Sequence, residues 1–147
     1  MFFTGEVELC SANCVCSVVV NTHYRSFNHN RAIDAAMSVL RAANSFIQTH
    51  QPWLLAKSSD GDDRATLDCV LHVGLESSRV ATLALSPVIP DLSRRILDRL
   101  GCQSSERLGR HMTQSLAGSR RLGADRGPLF TRIKPPSIAD SVTVEST

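Results

Sequence analysis

No proline occurs before position 52, and then Pro52, Pro87 and Pro90 divide a stretch whose apolar residues recur every three or four positions. Proline lacks a backbone donor and pushes the preceding residue out of the α region, so helices must stop and restart at these points. Between the breaks the spacing predicts helices. From Arg31 to Gln48, Ile33, Met37, Leu40 and Ile47 lie near helical spacing, and Ala36, Ala43 and Phe46 widen the stripe. Asn28 or Asn30 can cap its start. Pro52 suits the first turn of a short helix reaching Lys57.

Residues 58–63 form a polar turn, and a second long helix follows over 64–85. Its inward line reads Leu67, Val70, Leu71, Gly74, Leu75, Ser78, Ala81, Thr82 and Leu85, with Gly74 and Ser78 small enough for a neighbouring helix to approach. Asp91 can cap a third helix over 92–100, with Leu92, Ile96, Leu97 and Leu100 inward and Gly101 as its stop. The expected fold is an all-α antiparallel bundle of three main helices and one short one.

The flanks read differently. Cys10, Cys14, Cys16 and the run Val18-Val19-Val20 favour a short strand or an irregular segment over residues 1–29. Residues 30–101 carry the bundle. Residues 102–134 lose periodicity and become rich in serine, glycine and arginine, closing on a short apolar segment, 127–133, expected to dock on the bundle in extended form. Residues 135–147 read as a disordered tail.

Charge is uneven along the chain. The formal total is +2, yet residues 94–134 sum to +7 and the remainder to −5. Such asymmetry points toward a polyanion. Arg94, Arg95, Arg99, Arg120 and Arg121 are the candidate phosphate contacts, because guanidinium forks bind phosphate oxygens bidentately. A solvated helix face and an arginine-rich loop would give the same pattern.

Other classes fall away. No run of 18 apolar residues spans a membrane, and Met1 to Glu8 carries acids where a signal or transit peptide carries bases. Five unevenly spread cysteines do not form a secreted disulfide framework, so reduced thiols are expected. Cys10, Cys14 and Cys16 with His23 and His29 raise zinc, but the spacing fits no standard framework and no metal is assigned. Cys69 and Cys102 sit beside apolar helix positions and read as small core residues. His50 and His72 have no nucleophile or carboxylate motif beside them, so no catalytic residue is assigned.

Three boxes in order carry a resemblance: Gln51-Pro52-Trp53-Leu54-Leu55-Ala56-Lys57, then Leu85-Ser86-Pro87-Val88-Ile89-Pro90, then Gly127-Pro128-Leu129-Phe130-Thr131-Arg132-Ile133. Residues 30–134 resemble the C-terminal anticodon-binding helical bundle of methionyl-tRNA synthetases. The arginine-rich insert and the lack of an appended dimer domain resemble the mitochondrial form. The first 29 residues are read as not matching, and the bundle as incomplete at its N-terminus, with part of its apolar face uncovered. Asn21 and Arg25 stand four apart, as a base-reading pair of the family would, but too near Trp53 in sequence.

The resemblance implies a class I ligase that joins methionine to its tRNA with ATP. Its His-x-Gly-His-type box and Lys-Met-Ser-Lys-Ser-type loop do not occur here: His111 lies in Gly109-Arg110-His111-Met112, and the lysines are Lys57 and Lys134 alone. The chain itself is thus expected to hold no catalytic residue, ATP or other cofactor, and to bind methionine tRNA. In the family the tryptophan of the first box stacks on an anticodon base, which assigns that role to Trp53, with Pro52 beside it. A core tryptophan near a helix start is the competing reading. The resemblance implies the mitochondrial matrix, whereas a chain made as it stands would be cytosolic. A non-catalytic fragment whose uncovered face meets a protein partner, or an inactive truncated product, are the other expectations.

Overall fold

The computed structural model describes residues 4–114 and 121–130. Five α-helices run in order: α1 (Thr4–Arg25), α2 (His29–His50), α3 (Pro52–Leu55), α4 (Gly61–Leu85) and α5 (Pro90–Arg99). Two 3-10 turns follow, Ser104–Glu106 and Gly109–Met112. The fold is an all-α helical bundle.

Residues 4–25 are not a strand or an irregular segment. They supply α1, a full partner of α2 and α4. Asn13, Cys16, Ser17 and Val20 are buried at the three-and-four spacing of one helix face. Cys16 and Val20 pack with Ala32, Ala36 and Val39 of α2 and with Ala81, Ala84 and Leu85 of α4. The face expected to lie uncovered is therefore packed. Alanines on both partners let α1 approach closely, and packing overrides the strand preference of the valines. Tyr24 Oη donates to the Ala84 carbonyl at 2.9 Å, and Asn13 Nδ2 donates to Ser77 Oγ at 3.2 Å. Both bonds join earlier to earlier and later to later residues, so α1 and α4 run parallel.

Helix α2 runs antiparallel to both. Its later residues Ala43 and Phe46 meet Val70 and Val73, early in α4. Asn28 holds the cap position without a side-chain bond. The expected inward stripe holds except at Met37, which is exposed. The helix ends where Pro52 requires it: Gln51 turns left-handed at φ 45° and its N–H bonds Ile47 O. The short helix after it ends at Leu55.

Helix α4 starts earlier than expected, with the Asp60 carboxylate accepting from Asp62 N–H at 3.2 Å. Its buried face is shifted from the expected line. Leu71 and Leu75 are exposed, whereas Val73, Ser77 and Val80 are buried. Gly74 does admit its neighbour, since a Cβ there would press on Ile47 Cδ1 of α2. Every residue from 79 to 85 is buried, so the last two turns of α4 are enclosed on all sides. What encloses them is α5, through Leu97 against Leu83, and the turn at Met112, which packs on both clusters. Pro90 rather than Leu92 opens α5, and Asp91 lies in its first turn rather than at its cap.

Arg79 is the unexpected core residue, 2% exposed. Its Nε and Nη2 grip the Glu76 carboxylate at 2.8 and 2.6 Å. The same guanidinium donates to the carbonyls of His111 at 2.9 Å and Gln114 at 2.8 Å. A buried charge needs its partners, because removing one leaves an uncompensated ion. Arg79→Ala is expected to lower the unfolding free energy by about 3–5 kcal/mol in a urea titration. A loss below about 1 kcal/mol would mean that other contacts hold the 109–114 return.

Candidate nucleic-acid interface

Trp53 is placed by the main chain. Left-handed Gln51 ends α2 and leads into α3, Pro52 occupies the first helical turn, and Leu54 N–H bonds Gln51 O at 2.8 Å. Pro52 is buried, so it fixes the turn and offers no surface to a ligand. Trp53 is 47% exposed and is not a core residue. Leu54 beside it is also exposed, and Lys57 follows in the next turn. An exposed indole held on a short rigid turn can stack on an unpaired base, because every base has a π-face. Since α3 continues from the end of α2, where Phe46 meets Val70, this surface lies toward the start of α4.

The arginines collect at the other end. Arg94, Arg95 and Arg99 of α5 line one cavity of about 540 Å³ together with Arg107 and Arg126. Sequence reasoning missed the last two. Arg107 stands in a loop without periodicity, and only the return of residues 121–126 brings Arg126 across to α5. Arg121 is exposed and outside that lining, and Arg120 lies outside the described residues. Arg107 Nη2 meets Asp98 Oδ1 at 2.7 Å and also donates to the Cys102 carbonyl. Arg99 pairs with Asp125 at 3.2 Å, and Arg95 donates to Pro128 O at 3.2 Å. The hydrogen bond from Arg107, aided by the charges of Arg94 and Arg126, holds the Asp98 carboxyl below its ordinary range.

The closing apolar segment is described to Phe130, which is 73% exposed, so this residue does not dock on the bundle. Cys102 is buried against Leu83 and Leu97, and Cys69 is half-buried. Burial pushes the Cys16 thiol up, and its Sγ lies 3.7 Å from Ala35 O. The side chains of Cys10 and Cys14 lie outside the described set. Among the described residues no three His, Cys, Asp or Glu side chains gather as metal ligands. His72 is exposed, and the His50 ring packs on Phe46, tilted by 40° with ring centroids 4.2 Å apart. No described helix is long and apolar enough to cross a membrane.

No family model matches the chain. It is 41% identical over 136 residues to "Methionine--tRNA ligase, mitochondrial" of Bos taurus, covering 87% of this chain and 23% of that protein. The protein of the same name from Homo sapiens is 39% identical over 136 residues. "Methionine--tRNA ligase" of Mycobacterium leprae is 32% identical over 117 residues, covering 80% of this chain and 22% of that protein. Among solved structures, the apo form of Mycobacterium tuberculosis methionyl-tRNA synthetase superposes with a TM-score of 0.85 at 28% identity, over 92% of this chain and 27% of that one. The chain therefore spans about a quarter of the length of these relatives. Residues 30–147 are about four-fifths of the chain. A match over 87% reaches into the first 29 residues, which the boxes alone had left outside.

The Asp98–Arg107 link carries a pH signature. A carboxyl whose value is depressed in the fold contributes stability above its ordinary value of 3.8, and that contribution is lost as pH falls through the folded value. The melting temperature of the native chain is expected to fall more steeply below about pH 4 than that of Asp98→Asn. Equal acid slopes would show that Asp98 is not linked to folding.

Proposed function

The chain belongs to the methionine–tRNA ligase family, aligning with 23% of the bovine enzyme's length, and from that premise we propose that it is a tRNA-binding module. Its role is to read the anticodon of methionine tRNA in support of ATP-dependent methionyl-tRNA formation. ATP serves the catalytic part of the enzyme, not this chain. Two of the relatives are named as mitochondrial, which supports service in mitochondrial translation. The single observation that carries the reading is Trp53: the sole tryptophan, in a Pro-Trp turn, half-exposed where a small α-bundle ordinarily buries its largest side chain. Loop bases are unpaired and can be splayed onto such a face, and their edges are then read by hydrogen bonds.

A stacking contact of this kind contributes about 1–3 kcal/mol, which is roughly a 5- to 150-fold change in affinity. Trp53→Ala is expected to weaken binding of a methionine tRNA transcript by that factor in a filter assay. Binding of a transcript with an altered anticodon should change far less. In the intact enzyme the same substitution should reduce tRNA charging and spare ATP-dependent methionine activation. Equal affinity of the native chain for the two transcripts would overturn the proposal.

A further inference from the structure

We infer that the cavity between α5 and the 121–126 return binds the phosphate backbone of RNA, as a site separate from the Trp53 surface. The inference rests on the tRNA-binding reading and adds to it the place where the polyanion is held. Three observations support it.

The first is charge that the chain does not neutralise. Five arginines line one concavity whose lining includes a single carboxylate residue, Asp98. Asp125 adds a second anion through Arg99, but it is 86% exposed. An anion this exposed adds little to the pair and exchanges readily for a phosphate oxygen. Arg94 lies 3.8 Å from Asp91, and both are well exposed. Arg126 makes no hydrogen bond or ion pair among the described residues. Arg94 and Arg126 therefore present forks that remain open to a ligand.

The second is that the cavity is built. Gly101 adopts φ +69°, and a Cβ there would collide with the Arg121 carbonyl. A Cβ on Gly123 would collide with the Asp98 carbonyl, and Gly123 N–H bonds Arg99 O at 2.8 Å. Two close backbone approaches clamp the return onto the end of α5. Arg107, with its side chain 19% exposed and tied to Asp98 and Cys102 O, forms a fixed wall. Arginines held in place lose little freedom when a phosphate arrives.

The third is distance. Trp53 lies beyond the contact of Phe46 with Val70, whereas α5 packs at Leu83. Thirteen residues of α4 separate these points, or about 20 Å of helix. One base cannot touch both ends. A folded RNA can, with unpaired bases at one end and backbone at the other.

The test is filter binding of the 147-residue chain to methionine tRNA and to an altered-anticodon transcript across a salt series. Arg94→Gln/Arg126→Gln removes two exposed forks with no packing role. It is expected to weaken both transcripts equally, roughly tenfold, and to reduce the salt slope by about 1–2. Arg94→Lys/Arg126→Lys should retain most of the slope. Trp53→Ala should leave the slope intact and lower only the preference for the methionine anticodon. An unchanged slope in the glutamine variant overturns the cavity assignment while leaving the anticodon reading in place. Loss confined to methionine tRNA also overturns it. Inorganic phosphate replacing chloride at equal ionic strength should weaken both transcripts by competing for the same forks, and the glutamine variant should lose that effect. Failure of the native chain to bind either transcript overturns the tRNA-binding reading itself.

Discussion

A charge in the core organises the C-terminal half of this protein. Arg79 sits on the last turns of α4, where residues 79–85 are all buried, and its side chain is almost wholly withdrawn from water. It is tolerable there because Glu76, His111 O and Gln114 O together satisfy its donors. Those partners come from two places: one turn back on the same helix, and a return some thirty residues downstream. The desolvation cost is thus met only when the 109–114 segment is home. That segment brings Met112 between the α1–α2–α4 core and the α5 contact. Closure of the loop, completion of the core and seating of α5 are accordingly one event.

Much of this was legible from punctuation. Pro52, Pro87 and Pro90 fixed the breaks, and the stripes of α2 and α5 placed most of their inward residues. Helix α1 escaped because its buried face is half polar: Asn13 and Ser17 occupy core positions that an apolar count scores as solvent. Three successive valines then argued for a strand, and packing against alanines decided otherwise. Arg79 escaped because Glu-x-x-Arg in a helix reads as a surface ion pair. Leu71 and Leu75 fit the inward spacing on the same helix, yet both are exposed.

The two candidate surfaces were legible to different degrees. Trp53 was marked by a local motif, Pro-Trp, whose geometry follows from the backbone alone. The arginine cavity was legible only as an excess of charge. Which cations share one concavity depends on the fold of residues 101–126, where glycines and turns, not periodicity, set the path. Three of the five arginines named in advance lie there, and Arg107 and Arg126 complete it.

Gln51 shows what such a backbone-defined position entails. A non-glycine residue at φ 45° carries roughly 1–2 kcal/mol of conformational cost, met during folding by the helices on either side. The indole of Trp53 is therefore mounted on a main chain with little freedom left to lose. An RNA base arriving there meets a platform that folding has already ordered. The binding free energy can go to contact and discrimination rather than to arranging the protein, so selectivity at this surface is established before the ligand is encountered.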